Sequence, residues 1–189
     1  GNFGGWAPGQ VPRFLGEDMG YFIPKGADIV VQLHYHRNGR PEKDRTQVGL
    51  YFAKKPIEKN LSTIVVGPKL ELSSMYIPAG KADHVMKGST CVWVDCDLHS
   101  VMPHMHLIGK SVKITMTPKE ETPTTLVEIK EWDYNWQETY WLKKPLRVKA
   151  GTRFDIEAVY DNSSKNPNNP FSPPAFILFG EQTNNEMLF

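Results

Sequence analysis

Val148-Lys149-Ala150-Gly151-Thr152-Arg153-Phe154-Asp155-Ile156-Glu157-Ala158-Val159-Tyr160 reads as a turn running into a strand. An apolar residue enters the turn and Gly151 closes it, supplying the positive φ that such a corner demands. The run that follows is rich in β-branched and aromatic residues, which fit a pleated surface. The same signature stands at Ile23-Pro24-Lys25-Gly26 and at Ile77-Pro78-Ala79-Gly80, and a strand is again expected after the first of these. Further strands are expected over 27–36, 46–53, 62–72, 90–101, 104–117, 124–132, 140–142 and 175–179, separated by Gly, Pro, Asn and Asp. No stretch sustains a helical period. The pattern predicts an all-β chain folded as an antiparallel β-sandwich or jelly roll.

The bulk numbers exclude several classes. Hydrophobic residues make up 40% of the 189, enough for a real core. A net charge of +1, with Lys and Arg scattered, gives no electrostatic footprint for nucleic acid or an anionic membrane. No apolar run approaches the ~20 residues of a membrane span. Cys91 and Cys96 would face opposite ways on a straight strand and could not bridge; a tight turn would let them, so a disulfide and two free thiols both stay open. The polar, Pro-containing stretch 54–60 is read as a boundary between residues 1–60 and residues 61–189. The first block is too small to bury a good core by itself. Residues 161–174 form a long loop dense in Asn, Ser and Pro, read either as functional or as a rigid lid.

The chemistry concentrates in histidines. His104-Met105-His106 on an extended strand would put both imidazoles on one face, half of a metal site. Pro103 just before them suggests an edge or a bulge. The competing reading is two half-exposed surface histidines. A cupin would also carry His-x-His, but Leu107-Ile108-Gly109-Lys110 lacks the Glu that a cupin usually places there. Met187 alone would be a core gap-filler. Here a polar run precedes it and an apolar tail follows, which puts it at a strand mouth, and its soft thioether would bias a site toward copper, especially Cu(I). His34 and His36 share a face with Gln32, a face that is either solvated or functional. His99 is read as a core or supporting residue and His84 as a surface one. No Ser-His-Asp arrangement, phosphate loop or carboxylate pair stands out.

At these residues the chain resembles the copper type II, ascorbate-dependent monooxygenases, the group of peptidylglycine α-hydroxylating and dopamine β-monooxygenases. The segments that carry the resemblance run in order: Trp6-Ala7-Pro8-Gly9, Gln32-Leu33-His34-Tyr35-His36, Met75-Tyr76-Ile77-Pro78-Ala79-Gly80, His104-Met105-His106 with Leu107 and Gly109, and Glu186-Met187. The resemblance implies two tandem β-sandwich domains with one copper each. Residues 1–60 would be the C-terminal part of the first, electron-transfer domain, and 61–189 the second, catalytic one. His104, His106 and Met187 would hold the catalytic copper, which cycles between Cu(I) and Cu(II). His34, with His36 as a further candidate, would belong to the second copper, whose site is incomplete here because the chain has no His-His dipeptide.

Dioxygen and a small-molecule or peptide substrate would meet at the first copper, with ascorbate or a similar reductant as co-substrate. The implied location is periplasmic or secreted. The absent His-His pair implies a fragment, inactive alone, with an upstream domain before Gly1, and the low cysteine count points to a bacterial relative. Two other classes compete: a non-catalytic copper-binding or electron-transfer module on the same scaffold, and a β-sandwich interaction domain with vestigial histidines.

Overall fold

A computed structural model describes residues 3–6, 13–35, 38–68 and 76–187. The chain divides into two compact units, Gly1–Thr63 and Ile64–Phe189.

Among the described residues of the first unit, the strands are β1 (Met19–Gly20) and β2 (Lys59–Asn60), paired in parallel. An Asp18–Lys59 ion pair at 2.6 Å and a bond from the Phe22 N–H to Asn60 Oδ1 at 3.1 Å hold this pairing together. The strands expected over 27–36 and 46–53 are not formed over 27–35 and 46–53. A β-prone run becomes a strand only when a neighbour completes its hydrogen-bond ladder. Among the described residues these runs have none, and Val30 and Tyr51 stand 90% exposed.

The second unit is built of β3 (Tyr76–Ile77), β4 (His84–Cys91), β5 (Cys96–Val101), β6 (Gly109–Thr117), β7 (Thr124–Ile129), β8 (Tyr140–Val148), β9 (Arg153–Tyr160) and β10 (Ile177–Leu178). Its described strands pair antiparallel, and an isolated parallel bridge joins Phe179 to Glu186. One sheet has the order β4-β9-β6-β7, and the pairs β5–β8 and β3–β10 form two smaller sheets.

The alternation along β9 explains how these layers stack. Phe154, Ile156, Ala158 and Tyr160 are buried, while Arg153 and Glu157 face water. Across the sheet, Ile156, Ala158 and Tyr160 join Val112 and Ile114 of β6 and pack on Ile77 and Ile177 of the β3–β10 pair. At the other end, Phe154 and Met116 pack on Val148 of β8, with Cys96 and Leu98 of β5 against them. The four-stranded sheet therefore shares one apolar face with both smaller sheets, which is a sandwich. Each large side chain so buried contributes about 1.5–3 kcal/mol.

The expected strand over 90–101 is two strands in different sheets. Asp95 breaks it: its carboxylate accepts the Ala150 N–H at 3.0 Å and pairs with Lys149 at 2.9 Å, pinning the chain where it crosses between layers. Cys91 ends β4, Cys96 begins β5, and both are free thiols. The first half of β4, from His84, lies in a stretch not expected to be a strand; its ladder with β9 supplies what its polar composition does not.

The loop 161–174 is a structural clamp. Asn162, fully buried, donates from Nδ2 to the carbonyls of Pro78 at 2.9 Å and Ala175 at 2.8 Å, with Ile77 O at 3.4 Å, and its Oδ1 accepts from Asn169 at 2.9 Å. One amide thus ties the end of β9 to the corner after β3 and to the approach to β10.

Gly88 on β4 marks a close approach of a different kind. A Cβ there would collide with the carbonyl of Gly67, which is backbone and cannot swing aside. Gly88→Ala is expected to destabilise the protein by about 1–3 kcal/mol. A lower urea midpoint with an unchanged m-value checks this.

Candidate metal centre

His104 and His106 lie in the connection between β5 and β6, not on the strand expected over 104–117, which begins only at Gly109. The chain leaves the ladder at Val101 because Pro103 has no N–H to donate. Alternation survives outside the sheet because the connection is anchored by its buried side chains. Pro103, Met105 and Ile108 are all in the core. With Met105 turned inward, the two imidazoles come together, ring centroids 5.0 Å apart and planes at 88°.

Each ring is oriented through Nδ1. His106 Nδ1 lies 3.1 Å from the carbonyl oxygen of Asn185. A carbonyl only accepts, so this Nδ1 carries the proton, and in the neutral ring the lone pair is on Nε2. His104 Nδ1 lies 2.5 Å from Gln137 Oε1. The same reasoning puts the His104 lone pair on Nε2. Burial holds the His104 pKa below the ordinary histidine value, with the Gln137 contact pulling the other way. The ring is therefore neutral at pH 7, the form that a metal requires.

His106 is 4% exposed and is held on every side. Its carbonyl accepts from Trp132 Nε1 at 3.2 Å and from the Gly109 N–H at 3.3 Å. Gly109 is needed here, because a Cβ would stand 2.7 Å from the Trp132 ring. The edge of Tyr134 meets the His106 ring, with centroids 6.4 Å apart. The His106 N–H donates to Glu186 Oε1 in a short bond, and the same oxygen lies 3.4 Å from the Met187 N–H. Glu186 is buried, and burial pushes its pKa up to about 8, opposed by these two N–H donors. Glu186 Oε2 is buried with no partner among the described residues.

These bonds dock residues 185–187 onto His106. Met187 itself is reached by the Tyr160 hydroxyl, which donates to its carbonyl at 3.4 Å. It also lines a cavity of about 10 Å³ with Ile77, Met86, Tyr160 and Leu178. The structure thus brings His104 and His106 together and places the backbone of Met187 one residue from the carboxylate that grips His106. Among the described residues, no group of three or more His, Cys, Asp or Glu side chains is gathered anywhere.

The other histidines are elsewhere. His34 is exposed in the first unit, and His36 and Met75 lie outside the described residues, as do Ala7-Pro8-Gly9. His84, at the start of β4, is half-buried rather than a surface residue, and its pKa is lowered by burial and by Lys81. His99 falls where the β5–β8 register shifts, between Leu98 and Ser100. Sequence reading missed Gln137, Trp132, Tyr134 and Asn185. The only visible signal was the aromatic density of Trp132-Asp133-Tyr134-Asn135-Trp136-Gln137, which by itself reads as core.

Residues 62–188 match the family described as copper type II ascorbate-dependent monooxygenase, C-terminal domain. The chain belongs to that family. Copper and ascorbate are accordingly its cofactor and reductant class, and its second unit is a domain of the copper monooxygenase type. No curated protein matches the chain. Among the described residues, no helix is long and apolar enough to cross a membrane. The donor set fits copper: two imidazoles whose Nδ1 atoms face acceptor oxygens and turn Nε2 to a metal, next to a segment that carries a thioether.

Proposed function

We propose that His104 Nε2, His106 Nε2 and the Met187 thioether hold one copper ion, and that this unit is the oxygen-using half of a hydroxylating monooxygenase. The observation that carries the reading is the pair of Nδ1 contacts, which leave two convergent imidazoles in the ligand tautomer. Met187 is the natural third donor, because its segment is bonded to His106 and, among the described residues, no further His, Cys, Asp or Glu completes a cluster. When bound, copper supplies the one-electron redox chemistry with dioxygen. The chain's own contribution is to hold two imidazoles in register and, through Trp132 and Tyr134, to keep water from one side of them.

On this reading residues 1–60 are the remnant of a preceding similar domain, His34 belongs to a second copper that needs residues from an upstream domain, and the protein works outside the cytoplasm on a small molecule or peptide. The fragment alone then hydroxylates nothing. The alternative is a copper-binding or electron-transfer module, for which the exposed His34 speaks: among the described residues it has no ligand cluster around it. Ascorbate-dependent oxygen uptake by the longer protein separates the two.

Met187→Ala tests the ligand set. It is expected to weaken Cu(I) by ~100-fold and Cu(II) by no more than a few-fold, because the soft thioether favours the reduced ion. Competition against chromophoric chelators for each oxidation state measures both. Equal losses would remove Met187 from the site.

A further inference from the structure

The two imidazoles are oriented by different means. His106 Nδ1 meets a backbone carbonyl, that of Asn185, which no substitution removes. His104 Nδ1 meets a side chain, Gln137, on the loop between β7 and β8. That loop is held by its own bonds: the Trp132 N–H to Lys110 O at 2.9 Å, the Asn135 N–H to Asp133 Oδ1 at 2.9 Å and the Trp136 N–H to Asp133 O at 3.0 Å. It also carries Tyr134, whose ring edge touches His106 and whose carbonyl accepts from Gln137 Nε2 at 2.9 Å.

The Tyr134 carbonyl decides which way the Gln137 amide faces. Turning the amide over would set Oε1 against that carbonyl, acceptor against acceptor. With Nε2 committed to Tyr134, Oε1 is presented to His104 and can only accept. The amide therefore works as a selector for the proton on His104 Nδ1.

We propose that Gln137 is a positioning residue that fixes the tautomer of His104, and that through it the loop 132–137 sets the copper affinity of the imidazole pair. The copper half of this inference rests on the proposed function; the tautomer half does not. A ligating histidine whose second nitrogen loses its acceptor drifts to the other tautomer. A proton must then leave Nε2 before a metal can bind there.

The test uses the whole chain, metal-free, with ¹⁵N-labelled histidine, and reads the tautomers of His104 and His106 by their ring-nitrogen shifts above pH 7. In the parent protein both rings are expected with the proton on Nδ1. In Gln137→Leu, His104 should shift toward the Nε2-protonated form, while His106, on its backbone carbonyl, stays as it was. In Gln137→Glu the bond to the Tyr134 carbonyl is lost, but one carboxylate oxygen still faces His104 Nδ1, so the tautomer should be retained and the Nδ1 proton resonance should move downfield. This second variant keeps the test sharp if the Leu variant folds poorly.

The idea is overturned if His104 keeps its Nδ1 proton in a folded Gln137→Leu protein, if His106 shifts together with it, or if Gln137→Glu leaves the Nδ1 resonance where it was. Cu(I) affinity should fall ~10–100-fold in Gln137→Leu and recover in Gln137→Glu. If His104→Ala leaves Cu(I) binding intact, the copper reading fails, and the tautomer result still judges Gln137 by itself.

Discussion

His106→Ala is expected to abolish tight Cu(I) binding. The loss should exceed the ~100-fold upper end for removing an outer partner, because a ligand atom itself is gone. The variant is informative because the bonds that place His106 run mostly through its backbone. The N–H to Glu186 and the carbonyl to Trp132 and Gly109 survive truncation to Ala. The losses besides the ligand include the Nδ1 contact with Asn185, worth about 1 kcal/mol, and the ring contacts with His104 and Tyr134. Metal-free thermal midpoints within a few degrees of each other, beside a collapsed Cu(I) affinity, would show that the imidazole and not the fold was removed. A variant that keeps Cu(I) within tenfold of the parent would falsify the assignment of His106.

Asn162→Leu is expected to be the most damaging substitution for stability outside the metal centre. The carbonyls of Pro78 and Ala175 would lose a buried donor, and Asn169 would lose its acceptor. Each buried group left unpaired costs about 1–3 kcal/mol. Allowing for relaxation and water entry, about 2–4 kcal/mol is expected in total, or roughly 5–15 °C in the thermal midpoint. The effect should reach the metal centre, because the clamp holds β3 and β10, and Phe179 just after β10 bridges to Glu186. Differential scanning calorimetry of parent and variant measures it, and a midpoint within 2 °C of the parent would mean that the Asn162 bonds are replaceable by solvent.

Much of this was legible in the chain alone. Period-two alternation with glycine corners is a local property, so Arg153–Tyr160 and Gly109–Thr117 could be read as strands before any partner was known. The pairing of the His104 and His106 rings was legible for a similar reason, although no strand carries it. The rings meet because Met105, Pro103 and Ile108 are pulled into the core. Alternation of buried and exposed side chains needs only an extended backbone, which a core anchor imposes as well as a ladder does.

What sequence could not decide depends on contacts between distant residues. Whether 27–35 and 46–53 become strands rests on a ladder partner, and β-propensity without one left them irregular. Cys91 and Cys96 fall in different sheets because Asp95 is held across the layers by Ala150 and Lys149, more than 50 residues away. The orientation of the imidazoles is decided in the same way. Gln137 lies 33 residues from His104, and Asn185 lies 79 from His106. A hydrogen bond to Nδ1 leaves no periodic trace in composition or spacing. The sequence by itself therefore pointed to a β-sandwich of the copper monooxygenase type and singled out the residues proposed here as metal donors. Only the tertiary structure decided which nitrogen of each ring carries the lone pair, because that choice is made by acceptors which folding alone brings within reach.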